Sequence, residues 1–464
     1  MYRPGLSFVF FVACAFASKA HSEMLSFQQA WQMVLQHNDA LAAERANIER
    51  ATNVEDAFSD LNLPTVSLNA AFTRLDRDVQ VKPSDLIASM PIADVNAGLG
   101  IDVDNLDGLF TSTLTERDFF TSSVTALWPI YTGGKISAAQ DIASQQTLEA
   151  SYLYELKKQK SFQDLTKFYY AVVLSEQILQ TKQAYEDGLA KHLDNAQKME
   201  EQGQLAKVER LQAEVSYDRA KVARQKSQKD LEIAHIALTK LVKSESTVEP
   251  TSALFINETL PEMSAFKQKT VEHYPGLKII EAKEAQANSV IEIEKGKYHP
   301  EVFFFGNYNL YEEDNFASEI LPDWEIGVGI KVPILDTSGR SGKKKAAYSQ
   351  VMQARYLKAQ AKSDLTVLVE KVYMEAEQSL EEYNGLASSL ALAEENLKLR
   401  EKAFAQGLST SLSVVDAHIY LASIRSERLY AAYKYVVSLS ELVSVSGEIQ
   451  AFSRLQNEQG VPVN

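Results

Sequence analysis

Two hydrophobic rhythms alternate along this chain. After Pro64, Val66, Leu68, Ala70 and Phe72 face one way while Thr65, Ser67, Asn69, Ala71 and Thr73 face the other, the period-two pattern of a strand with one apolar face. Phe120, Ser122, Val124, Ala126, Trp128 and Ile130 form a second such face. The rhythm then switches across Trp128-Pro129-Ile130-Tyr131-Thr132-Gly133-Gly134-Lys135. Beyond it, Phe162, Leu165, Tyr169 and Val172 recur at threes and fours, and residues 135–202 contain almost no helix breaker. At about 1.5 Å per residue such a helix is roughly 100 Å long, more than a globular core requires.

The rest of the first half fits around this switch. Residues 25–61 read as a helix capped near Ser26, striped by Ala30, Val34 and Leu41, and stopped at Asn62-Leu63-Pro64. Residues 74–117, rich in Asp, Asn, Gly and Ser, read as a long loop joining the two strands. Gln202-Gly203-Gln204 interrupts the long helix, and Leu231, Ala234, Leu238 and Leu241 stripe a second helix that ends near Val242. Two long stripes with a short break predict an antiparallel helical hairpin.

The series then restarts. A non-helical crossing at 244–261 leads to a helix, Pro300, and a strand with Val302, Phe304, Gly306, Tyr308 and Leu310 on one face. After a short loop containing Glu312, Glu313 and Asp314, Trp324, Ile326, Val328, Ile330 and Val332 alternate with Glu325, Gly327, Gly329 and Lys331. The junction Val332-Pro333-Ile334 to Gly339-Arg340 opens a second long helix over 341–406, broken at Gly407 and resumed to Val445. Pro64 and Pro300 stand 236 residues apart, as do His37 and His273; Pro129 and Pro333 stand 204 apart, as do Gly203 and Gly407. The shared landmarks predict two repeats, 21–243 and 262–445. Their strands lie at about 64–75, 119–131, 300–311 and 323–334, and their long helices at 135–202 and 341–406. Residues 446–464 are expected to be a second crossing and a polar tail.

Each strand spans about 9 to 12 residues, the length of a tilted membrane strand, and only a closed barrel satisfies every backbone group in lipid. Four strands cannot close alone, so the pattern predicts that several copies pool theirs. The competing arrangement is a water-soluble hairpin packed on helices, for which Phe303 and Phe305 on the less apolar face count.

Composition narrows the picture. A net charge of −15 argues against nucleic acid as a partner. Arg3, the apolar run from Leu6 to Ala17 and Ser18-Lys19-Ala20 form an export signal with cleavage expected after Ala20. The one cysteine, Cys14, lies inside it, so the mature chain has neither disulfides nor cysteine-bound metal, unless Cys14 is itself kept as a lipid attachment site. His192, His235 and His418 are isolated in sequence, and no cofactor or metal motif is found. Gly133-Gly134-Lys135 lacks phosphate-cradle spacing and reads as a turn. Arg340, Lys343, Lys344 and Lys345 read as a solvated face or a positive patch below the strands, and Trp128 and Trp324 as interfacial anchors or core.

Residues 128–135, the Val332-Pro333-Ile334 echo and the turns at Gly203 and Gly407 together resemble the TolC family of outer membrane efflux and secretion channels, over residues 24–450. The resemblance implies a mixed fold: a homotrimer whose subunits each give four strands to one twelve-stranded membrane β-barrel, continuous with a coiled-coil-like α-helical barrel in the periplasm. It also implies a periplasmic adaptor protein and an inner membrane transporter of ABC or RND type, outer membrane lipid around the barrel, and no enzymatic activity. The closed end of that family lies at the two helical turns. Its aperture-lining acidic pair falls here at Ser413 and Asp416, only the second of which is acidic. Glu209 takes an acidic position of the closing network, Phe404 a tyrosine position, and Ser409 an arginine position. Within the channel class a small-molecule efflux outlet and a type I protein-secretion outlet both stay open, and a periplasmic coiled-coil scaffold or adaptor is the alternative class.

Overall fold

The computed structural model describes residues 22–85, 107–108, 110–312, 322–335 and 337–463; the export signal with Cys14, the middle of the 74–117 loop, and Glu313 and Asp314 lie outside them. In chain order the elements begin with β1 (Glu23–Leu25), α1 (Phe27–His37), α2 (Asp39–Ser59), β2 (Thr65–Arg74), β3 (Val79–Val81), β4 (Ser112–Thr115) and β5 (Asp118–Tyr131). The helical hairpin α3 (Lys135–Glu201) and α4 (Lys207–Val242) follows, then β6 (Val248–Pro250) and β7 (Phe255–Asn257). The second half holds α5 (Met263–His273), α6 (Pro275–Gly296), β8 (Glu301–Glu312), β9 (Trp324–Lys331), α7 (Arg340–Ala405), α8 (Ser411–Val445), α9 (Ile449–Asn457) and β10 (Gly460–Pro462).

The helix expected over 25–61 is two helices. Ser26 opens α1 with a capping box: its hydroxyl accepts from the Gln29 N–H while the Gln29 side chain accepts from the Ser26 N–H. Asn38 then ends it, and its Oδ1 accepts from the Ala40 and Leu41 N–H groups at 2.8 and 3.2 Å, capping α2. Tyr274 makes the same break 236 residues on, where Pro275 takes the first helical position and has no N–H to satisfy.

The chain divides into two compact units. One comprises Arg50–Thr147 and Ala282–Arg355 and holds an antiparallel sheet in the order β2-β5-β8-β9. Register puts Val66, Leu68 and Phe72 opposite Ala126, Val124 and Phe120, then Val124 opposite Tyr308 and Trp128 opposite Phe304, and finally Phe304 opposite Val328 and Gly306 opposite Ile326. The resulting apolar face is open, with Val66, Leu68, Phe72, Ile326 and Val328 all at least 64% exposed. Among the described residues β2 and β9 each pair on one side only, so the sheet has two free edges.

Phe303 and Phe305 do not build a second core. Their rings lie over Gly329 and Gly327 of β9, occupying the room that side chains there would need. Pro129 lies inside its strand, although a proline cannot donate to the ladder. β5 continues to Tyr131, with Pro129 opposite Phe303 and a register shift before Tyr131. Pairing with β2 has already stopped at Leu127, so the missing N–H falls where one side of the strand is unpaired and a bulge absorbs the other. β9, in contrast, stops at Lys331, short of Pro333. Gly133 and Gly134 turn the chain into α3 at φ of 67° and 82°, and a Cβ on Gly133 would stand 2.6 Å from the Gly296 carbonyl oxygen. The Trp128 indole N–H donates to the Asn62 carbonyl at 2.8 Å.

The other unit comprises, among the described residues, 22–49, 148–281 and 356–463. Its core is aromatic: Phe27 meets Phe162, Tyr169, Tyr170 and Phe452 with ring centroids 5.0 to 5.6 Å apart. The buried Tyr169 hydroxyl donates to the Leu25 carbonyl and accepts from the Thr251 and Ser252 N–H groups, tying β1 to the crossing after β6. The expected polar tail is part of this core. Phe452 is fully buried on α9, and β10 pairs antiparallel with β7. Spacing hid it because nine helical residues with two buried positions, Phe452 and Leu455, make too short a stripe to stand out.

Candidate functional site

Both long helices end in the same backbone device. At the first turn the Gly203 N–H donates to Glu200 O and the Gln204 N–H to Met199 O; at the second the Gly407 N–H donates to Phe404 O and the Leu408 N–H to Ala403 O, all at 2.8 to 2.9 Å. These are Schellman closures, and Gly203 and Gly407 both sit at φ 72°, where a side chain is strained. Gly339, ahead of α7, has the same angle.

Side chains join the two turns. Thr410 caps α8 by accepting from the Ser413 N–H, which leaves the Ser411 N–H to find another acceptor. Glu209, in the first turn of α4, supplies it: its Oε2 lies 2.7 Å from the fully buried Ser411 nitrogen. A carboxylate at a helix N-terminus also meets the positive end of the helix dipole. His192 of α3 completes the contact, with Nε2 2.7 Å from Ser411 Oγ and its ring centroid 4.6 Å from that of Phe404. Phe404 is buried with Ala196, Ala213 and Val414. Phe404 thus packs against the imidazole of His192. Arg210 pairs with both Glu200 and Glu214 on the flank.

One level further along, His418 packs against Gly188, where a Cβ would collide with the imidazole, and its Nε2 lies 3.2 Å from Glu401 Oε1. Gly188 is therefore a close-approach position. Burial pulls His192 down from the ordinary histidine value of 6.5 to about 4, opposed by the charge of Glu209. Burial, and then the neighbouring His192, bring His418 to about 4 as well. Both rings are neutral at pH 7.

Of the candidates from sequence, Glu209 and Phe404 meet at this junction. Ser409 lies beside it with a buried hydroxyl that finds no partner among the described residues. The Ser413 hydroxyl bonds Thr410 Oγ1 at 3.0 Å. Asp416 is exposed on α8, apart from the Glu209 contact, and forms no ion pair with described residues. Trp128, Pro129, Gly133, Gly134, Pro333 and Gly339 belong to the sheet unit and not to this site. Sequence reasoning missed His192, Ser411 and Arg210. The available clue was a histidine on an otherwise apolar stripe, since Leu189, His192 and Ala196 share one buried helix face.

Among the described residues no group of three or more His, Cys, Asp or Glu is placed to hold a metal ion, and no helix is long and apolar enough to cross a membrane. What this junction can do is mechanical: it holds two helical hairpins together through a charged cap, a hydroxyl and a buried ring.

The model of the outer membrane efflux protein family matches residues 30–242 and 268–448. Among solved structures the chain is similar to the outer membrane protein VceC from Vibrio cholerae, at 15% identity and a TM-score of 0.72 over 91% of this chain and 96% of that one. It is similar to the open state of the MtrE outer membrane channel of Neisseria gonorrhoeae, at 17% identity and a TM-score of 0.70 over 91% and 89%. The CmeC outer membrane channel of Campylobacter jejuni matches at 12% identity and a TM-score of 0.68 over 99% and 97%. Among curated proteins no match reached significance. With the family model spanning both helical hairpins, and a sheet that leaves its apolar face and both edges open, this chain belongs to the outer membrane efflux protein family.

Proposed function

We propose that the protein works as a homotrimeric exit duct, in which three copies pool their sheets into one twelve-stranded barrel and their helices form the periplasmic conduit. The open sheet carries this reading. A four-stranded sheet with an exposed apolar face and unpaired edges is an aggregation hazard in water, whereas closure with two further copies satisfies the edges and gives the apolar face to lipid. The duct is passive. An inner membrane transporter of the ABC or RND type supplies energy, and a periplasmic adaptor docks to the helical end. The family match supports export through this duct, of small molecules or of secreted protein, and in this reading the Glu209–Ser411 junction holds the helical turns shut.

Chemical crosslinking of the purified protein in detergent, followed by conductance in planar bilayers, tests this. A crosslinked trimer that loses compact migration only on heating, with discrete conductance steps, is expected. A monomer that stays soluble without detergent and carries no current would sink the reading and favour a periplasmic scaffold.

A further inference from the structure

A run of cations opens α7. From residue 337 to 363 the chain carries seven basic residues, Arg340, Lys343, Lys344, Lys345, Arg355, Lys358 and Lys362, and no acidic one, in a protein of net charge −15. Four of them stand in the first two turns of α7, where the helix dipole disfavours positive charge. Helix stability therefore does not explain them.

Arg340 is used internally. It donates to the Lys297 and Pro333 carbonyls at 3.1 and 3.2 Å and stands 4.9 Å over the Tyr298 ring. The Lys344 ammonium lies 5.8 Å over the same ring. Lys343 and Lys345 are exposed and have no partner among the described residues. The bond to Pro333 also fixes what lies beside these charges. Ile334 and Leu335, directly after Pro333, are 91% and 95% exposed, and Val332 extends the alternation of Ile326, Val328 and Ile330 on the open apolar face.

An aliphatic tip continuous with an apolar sheet face, an exposed tyrosine and unpaired lysines is the composition of a surface seated at the headgroup level of a membrane. We propose that residues 332–335, Tyr298, Lys343 and Lys345 form a binding surface for anionic phospholipid in the periplasmic leaflet, an inference that rests on the membrane placement of the sheet. The tip enters the acyl boundary and the lysines take the headgroup phosphates. Charge complementarity selects the occupant, and continuity with the lipid-facing sheet selects the leaflet lipid over a soluble anion.

Quenching of tryptophan fluorescence by brominated lipid tests it. The protein has three tryptophans, and Trp128 lies three residues from the end of its strand, on the same apolar face. The full-length Trp324→Phe variant, reconstituted in phosphatidylcholine, is titrated with brominated phosphatidylglycerol or brominated phosphatidylcholine. Phosphatidylglycerol should be preferred by roughly five- to thirtyfold, since each of the two interfacial lysines contributes up to about 1 kcal/mol near an anionic surface and 1.4 kcal/mol is a factor of ten. The preference should vanish in Lys343→Gln/Lys345→Gln and shrink with added salt. Equal quenching by the two lipids, or a preference that survives the double substitution, overturns the lipid surface and leaves the lysines to the conduit wall and anionic cargo. Absence of quenching by either lipid overturns the membrane placement itself.

Discussion

Phe305 lies across Gly327 on the neighbouring strand: the two are register partners, and a Cβ at Gly327 would stand 2.7 Å from the ring's Cζ. Phe303 and Gly329 repeat the arrangement two residues on. The glycines are cavities for rings, and the rings supply the packing that glycine lacks.

Gly327→Ala should therefore weaken the sheet by roughly 1 to 3 kcal/mol, the cost of overpacking a filled site. The temperature at which compact migration is lost on a gel reads this directly. Gly306→Ala, whose nearest neighbour would be Ile326 Cγ2 at 3.4 Å, should leave it almost unchanged. Equal effects at the two glycines would refute the ring-over-glycine account.

Glu209→Ala should loosen the helical turns. It leaves the buried Ser411 N–H without an acceptor, a loss of about 1 to 3 kcal/mol, and removes a negative charge from the start of α8. Glu209→Gln keeps an acceptor and should show a smaller change. Leak conductance at neutral pH and protease cleavage near Gly203 and Gly407 should both rise in the order wild type, glutamine, alanine. A silent alanine variant would show that the Glu209–Ser411 bond does not hold the turns.

How much of this is legible in the sequence depends on the range of the interaction. Pro64, Pro300, Gly203 and Gly407 act within their own few residues, so they announce strand starts and helical turns directly. Asn38 was harder to read, since its cap interrupts a stripe that otherwise continues from Val34 to Leu41. The clue lay 236 residues on, where Pro275 makes the matching break explicit. The junction was legible only in part. Glu209 and Phe404 were placed by resemblance, but the His192–Ser411 bond joins residues 219 positions apart on different hairpins, and no local pattern encodes such a pair. Phe303 and Phe305 misled for the same reason: their meaning lies in the glycines of the next strand.

Acid should open the junction. Burial holds His192 at about 4 against an ordinary value of 6.5, and His418 behaves alike. When the turns separate, the rings are hydrated and regain proton affinity, so protons favour the separated form. Above about pH 6.5 both forms are neutral and pH has no effect; the closed form loses stability as pH falls from 6.5 towards 4. Channel opening should rise across that window, and His192→Asn should flatten part of the rise. The charge of Glu209 beside His192 tempers the effect without reversing it. An opening curve identical in wild type and His192→Asn would remove His192 as the titrating group.

Asp416 lies in the second turn of α8. It is exposed on α8 without an ion pair among the described residues, and in a trimer it places three like charges around one axis. Asp416→Ala should move the reversal potential under a salt gradient towards zero, reporting weaker cation selectivity. The opposite change is available one turn earlier. Ser413 is the third residue of α8, where its N–H is already met by Thr410 Oγ1 and where a carboxylate suits the helix dipole. Ser413→Asp should therefore fold normally and add a second carboxylate on α8, increasing cation selectivity beyond wild type. If neither substitution moves the reversal potential, the ion path does not pass this face of α8, and the narrow part of the conduit must be sought elsewhere along the helices.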